Sequence, residues 1–235
     1  MRIELDCHCH TIASGHAYST IKEYAQEAKD KDMKLIAITE HAPMTPGMVF
    51  GDLYFLNFPI IDKAILGVEL MTGVELNILN THGDVDLSQD LVRRLDVVIA
   101  SLHQVCIAPS SKKENTKAII ETMKNPYLNI IGHPGDPRYP ICVDDIVKAA
   151  SDYHVALELN EASCTGYRAG GEVTMMEIAA KAKAAGVPIV FGSDAHFYTA
   201  LGRFDNVIRL SEKAGLNEDD ILNTSVERFK AFIAK

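Results

Sequence analysis

Short apolar, β-branched runs recur along this 235-residue chain, each closing on a polar residue and most followed by apolar positions at helical spacing. The runs cover residues 3–10, 35–41, 70–78, 97–103, 129–133, 155–160 and 189–196. Their lengths and flanking turn residues fit buried parallel strands, which are covered on both faces and need no polar alternation. Between the first two runs, Thr20 and Glu23 form a capping-box signature, and Ile21, Tyr24, Ala25 and Ala28 follow at helix spacing. Residues 173–185 are a second expected helix, stopped by Gly186 and Pro188. Two more are expected over 201–214 and 225–234. Such alternation builds a parallel sheet, either closed as a barrel or open and doubly wound. About seven strands fit a barrel missing one unit, and the open sheet fits the same pattern. No repeat, low-complexity stretch or linker interrupts the order, so residues 1–235 are expected to form one domain.

Composition then narrows the classes of function. The formal charge of −9 argues against nucleic-acid binding, which needs a basic face. It would also repel a phosphorylated substrate unless cations reverse the sign locally. No apolar run is long enough to cross a bilayer. Arg2, Glu4 and Asp6 stand where a signal peptide would carry its apolar core, so a cytoplasmic location is expected. The five scattered cysteines suggest neither a disulfide framework nor a zinc knuckle.

The histidines fall at one place in the pattern. His8 and His10 end the first run, His41 the second, His103 the fourth and His133 the fifth. Asp194 and His196 end the seventh, and Glu75 lies toward the end of the third. In a parallel barrel the C-terminal ends of all strands open on one face, where the chemistry sits. Metal-binding side chains from six strands would therefore converge on one mouth. His16, six residues past His10, can fold back over it. His8 and His10 share a strand face, as do Asp194 and His196. Cys7 and Cys9 alternate with the histidines and are expected to point toward the helix layer. His154 precedes its strand and His82 lies in a turn, so neither is assigned to the cluster. Glu69 is given a structural role and Glu75 the site, where a carboxylate can bridge two metals as an imidazole normally does not.

In this order the segments Asp6-Cys7-His8-Cys9-His10-Thr11, Ser14-Gly15-His16-Ala17-Tyr18-Ser19, Thr39-Glu40-His41, Gly73-Val74-Glu75-Leu76-Asn77, Ser101-Leu102-His103, Gly132-His133-Pro134-Gly135 and Gly192-Ser193-Asp194-Ala195-His196 resemble the PHP (polymerase and histidinol phosphatase) family. The resemblance is nearest to its small stand-alone bacterial phosphatases of the YcdX type and runs through nearly the whole chain. It implies a distorted seven-stranded (β/α)7 TIM-like barrel carrying three divalent metal ions. It further implies a first metal on His8, His10, Glu75 and Asp194, and a second bridged by Glu75 and completed by His103 and His133. A third would sit on His16, His41 and His196. The nine-residue set has no substitution.

An imidazole and carboxylate donor set suits zinc, with manganese or iron as alternatives. The chemistry expected is hydrolysis of a small phosphorylated substrate, a phosphomonoester in preference to a diester, by metal-bound hydroxide. Glu75, Asp194 and His196 are the residues assigned to catalysis, with Asp194 orienting the attacking water. Arg138 and Arg168 are candidates for pairing with substrate phosphate. Lys112 and Lys113 are read as solvated surface. Histidinol-phosphate phosphatase is the alternative within the same chemistry. An amidohydrolase-type metal hydrolase is another, disfavoured because no strand ends in the lysine those enzymes commonly place in the metal bridge. An inactive PHP metal-binding module is the third, disfavoured by the intact ligand set.

Overall fold

The computed structural model describes residues 1–48 and 51–234. Its centre is a seven-stranded parallel barrel in the order β1 (Leu5–Cys9), β2 (Leu35–His41), β4 (Val68–Asn77), β5 (Val97–Ser101), β6 (Ile130–Ile131), β7 (Ala156–Asn160) and β8 (Ile189–Gly192). A two-residue strand not foreseen in the sequence, β3 (Ala64–Ile65), pairs antiparallel with the start of β4. Helices α1 (Ile21–Asp30), α2 (Gly51–Leu56), α3 (Gln89–Val92), α4 (Lys112–Met123), α5 (Val143–Tyr153), α6 (Glu172–Ala185), α7 (Asp205–Lys213) and α8 (Val226–Ile233) follow the strands. Among the described residues, no helix is long and apolar enough to cross a membrane.

The sheet curls into a nearly closed barrel, so the open, doubly wound alternative is set aside. The seam between β8 and β1 is bridged near the mouth by Asp194 N donating to His8 O and His10 N donating to Ala195 O, both at 2.9 Å. Tyr24 of α1 brings its hydroxyl within 2.9 Å of the His10 carbonyl and 2.7 Å of the Ala195 carbonyl, clamping the same seam. At the other end Asn223 spans it, accepting from Phe191 N at 2.6 Å and donating to Leu5 O at 3.1 Å.

The interior of the barrel is filled by Leu5, Leu35, Ala37, Val97, Ile99, Ile130, Ala156 and Val190, and α8 closes its floor with Val226, Phe229 and Phe232. Residues one step along face outward, as strand alternation requires. Ile36 and Ile38 meet Tyr24 and Ala28 of α1. Val98, Leu157 and Leu159 belong to the larger apolar layer with Ile119, Ile146 and Ile178. The predicted capping box of α1 is formed, with Glu23 N 3.4 Å from Thr20 Oγ1 and Thr20 N 2.7 Å from Glu23 Oε2.

Three expectations need correction. Cys9 faces the helix layer, but Cys7 packs inside the barrel with Leu5 and Leu35. The cause is a bulge: three residues from Asp6 to Cys9 run beside two from Ile36 to Ile38, which reverses the alternation once. The strands also stop short of several site residues. His10, His103, His133, Asp194 and His196 lie just past the ends of β1, β5, β6 and β8. His133 and Asp194 take left-handed backbone angles, φ 31° and 53°, which no strand ladder accommodates. Finally, α7 begins at Asp205, not at 201, because the Glu161 carboxylate accepts from Asn206 N and Val207 N, both at 3.0 Å, and fixes the first turn there.

Candidate metal centre and active site

The barrel mouth gathers all nine residues singled out in the sequence. Glu75, fully buried on β4, is the hub. Its Oε1 lies 2.9 Å from His133 Nε2 and 3.2 Å from His103 Nε2. Its Oε2 lies 2.8 Å from His41 Nδ1 and 3.5 Å from both His8 Nε2 and His10 Nε2. Asp194 Oδ1 approaches the same pair of imidazoles, 3.2 Å from His10 Nε2 and 3.8 Å from His8 Nε2. His16 and His196 meet Nε2 to Nε2 at 3.0 Å.

Among the described residues, donor atoms converge in three groups: His8, His10 and Asp194; His41, Glu75 and His103; and His10, His41 and His196. The first matches the division implied by the family resemblance, and both His103 and His133 lie against the same Glu75 oxygen. His41 belongs to two of the groups, one of them with His196 as the resemblance implies. Its Nδ1 faces Glu75, and its ring stacks between His10 and His16, with centroids 4.1 and 4.8 Å away.

The fit to metal ions rests on the donors themselves. His8 Nε2, His10 Nε2, His41 Nδ1, His103 Nε2 and Glu75 Oε2 are buried and make no hydrogen bond of acceptable direction. Leaving one such atom unsatisfied costs about 1–3 kcal/mol, so five aimed at one place require a common partner. Divalent cations would satisfy them, and a nitrogen-rich set with carboxylates suits zinc.

Burial also sets the protonation of the cluster. It drives His41 down to about 3 and His133 and His196 down to about 4, and it holds His10 well below its ordinary value. These imidazoles are neutral near pH 7, the form that binds metal. Burial would lower His8 too, but Glu158 and Glu75 outweigh it and push that group up to about 10. For Glu75, burial is outweighed by His103, His8 and His41, which keep the carboxylate ionised.

A supporting layer escaped the sequence reading. Glu158, fully buried on β7, has Oε1 2.6 Å from His8 Nδ1 and accepts from His133 N through Oε2, also at 2.6 Å. Room for that carboxylate depends on Gly192, where a Cβ would overlap Glu158 Oε1. Asn77 places Oδ1 2.7 Å from His103 Nδ1. Ser14 Oγ accepts from His41 N at 3.0 Å and donates to Glu40 Oε2 at 2.5 Å. The signals were present: Glu158 is a lone acid inside an apolar strand, and Asn77 shares a strand face with Glu75.

Above the cluster opens a cavity of about 580 Å³, lined by His16, His41, His103, Asp194 and His196 and by both candidate arginines. Arg168 pairs with the Asp194 carboxylate, and its Nε donates to Ser163 Oγ at 3.1 Å. Arg138 is held by Asp136 at 2.9 Å and by Gln104 Oε1 at 3.0 Å. The residues set aside earlier lie elsewhere: Glu69 pairs with Lys230 at 2.6 Å, His154 lies tilted against Phe232, and His82, Lys112 and Lys113 are exposed.

The family model described as the PHP domain matches residues 6–162. A probable phosphatase of Thermoanaerobacter sp. (strain X514) is 47% identical over 234 residues, covering 99% of this chain and 95% of that protein. A probable phosphatase of Aliivibrio fischeri (strain MJ11) is 42% identical over 234 residues, covering 99% of this chain and 94% of its own. Among solved structures, the histidinol phosphate phosphatase of Lactococcus lactis, a complex with zinc, L-histidinol and phosphate, superposes with a TM-score of 0.63. That likeness covers 91% of this chain and 94% of the other at 20% identity, and it concerns the fold. With the motif order, the barrel and the full-length similarity in agreement, the chain belongs to the PHP domain family.

Proposed function

We propose that this chain is a metal-dependent phosphatase that hydrolyses a small phosphomonoester at a trinuclear site, with residues 1–235 acting as one catalytic unit. The observation that carries the reading is the position of Glu75, whose two oxygens face different histidines while the nitrogens turned to it from His8, His10, His41 and His103 lack hydrogen-bond partners. His8, His10, His16, His41, His103, His133, His196, Glu75 and Asp194 would hold the ions, with zinc favoured by the donors. When bound, divalent metals supply positive charge for the phosphoryl oxygens and lower the pKa of a water so that it serves as nucleophile near pH 7.

The chain's own groups do the rest. Glu75, unable to donate a proton while ionised, fixes the spacing of the cluster. Asp194 accepts a hydrogen bond from the attacking water and turns its lone pair toward phosphorus. His196, beside Asp194 at the cavity wall, completes the face on which the phosphoryl group rests. Arg168 offers a guanidinium, already oriented by Asp194 and Ser163, to the equatorial oxygens as charge builds on them. Arg138 stands on the same wall as a second cation for the phosphate.

Hydrolysis of p-nitrophenyl phosphate by protein purified without chelator tests the reading. Turnover is expected, with loss on chelation and recovery when zinc, manganese or iron is restored. Turnover indifferent to chelation, or none after restoring each metal, would overturn it.

A further inference from the structure

The cavity is far larger than a phosphate group needs, so most of it receives the esterified alcohol. Besides the cluster and the two arginines, its wall is made of Thr45, Pro46, Gln104, Val105, Ala162 and Thr165, all uncharged, with Val105 61% exposed. Met44, beside Thr45, is a further exposed apolar side chain. Carboxylates that could meet a cation on the leaving group are already committed. Asp194 is paired with Arg168, and Asp136, almost wholly buried, is paired with Arg138. Glu75, Glu40 and Glu158 lie fully buried beneath the mouth. An ammonium entering this space would find no uncommitted acid among the residues that line it, and would lose hydration without a partner.

We infer that the physiological leaving group is a bulky, uncharged alcohol with a largely apolar body, and that the site rejects alcohols bearing an ammonium. This rests on the phosphatase reading and narrows it. It sets the chain apart from an enzyme built for an amino-alcohol phosphate, although such a substrate would need the same metal cluster.

The test uses two phosphate esters of one shape, 3,3-dimethylbutyl phosphate and phosphocholine, which differ in a carbon against a permanently charged nitrogen. Assayed on the metal-loaded protein, the neutral ester should show kcat/KM about tenfold higher or more. Placing a carboxylate on the wall, as Val105→Asp or separately Thr165→Asp, should narrow that ratio. Equal or better use of phosphocholine by the unaltered protein would overturn the inference. So would failure to hydrolyse 3,3-dimethylbutyl phosphate while p-nitrophenyl phosphate is consumed. Failure on all three esters would instead remove the phosphatase reading, and the inference with it.

Discussion

His8 Nδ1 lies 2.6 Å from Glu158 Oε1, and neither group reaches solvent. A carboxylate can only accept, so Nδ1 keeps its proton, and a cation bound at Nε2, which faces Glu75 and Asp194, would displace the second one. The other Glu158 oxygen takes the amide of His133, whose left-handed backbone would otherwise leave that donor buried without a partner. One side chain thus orients histidines assigned to two different metals. Glu158→Ala should weaken metal binding by about 10–100-fold, and Glu158→Gln should do less harm because it keeps an acceptor. Competition with a chromogenic chelator measures this directly. Unchanged affinity in the alanine variant would show that the histidines orient themselves.

Arg168 should act on substrate and not on metal. Arg168→Ala is expected to raise KM for phosphate esters by about 10–100-fold, the range for removing a charge-assisted hydrogen bond. Metal content per chain should stay the same. A variant that loses metal, or keeps its kinetics, would reassign Arg168 to holding Asp194 in place.

Asp96 offers a pH-dependent test away from the mouth. Burial opposes its ionisation, but Lys63 at 2.7 Å and the Thr72 amide at 2.8 Å outweigh this and hold it below its ordinary value of 3.8. The ionised group is therefore better accommodated in the folded chain than in the unfolded one. Its contribution is present above pH 3.8 and is lost as pH falls through the depressed folded value. Asp96→Asn should cost about 1–3 kcal/mol at pH 7 by urea unfolding. The difference between the two proteins should shrink as the solution is acidified through that range. A gap independent of pH would mean that shape, not charge, is what Asp96 contributes.

The cluster was legible because a parallel barrel turns position along the chain into position in space. His41, at the end of its strand, and Glu75, near the end of its own, could be brought together without knowing any loop. His133 and Asp194 could be placed at the mouth, yet their left-handed turns depend on hydrogen bonds to Glu158 and His8 that no local pattern encodes. Cys7 was turned the wrong way because a one-residue bulge carries no composition signal. The start of α7 was missed because its first turn is capped by Glu161, 45 residues earlier in the chain. Period and spacing reveal which face a residue belongs to, whereas bulges and long-range caps are decided by packing.

Metal content per chain, measured by elemental analysis after reconstitution, bears most directly on the trinuclear site bridged by Glu75. About three ions are expected on the unaltered protein, with at least two lost together in Glu75→Gln and activity falling with them. Three ions retained in Glu75→Gln with full activity would contradict the bridging role. One ion or two on the reconstituted, unaltered protein would contradict the trinuclear site itself.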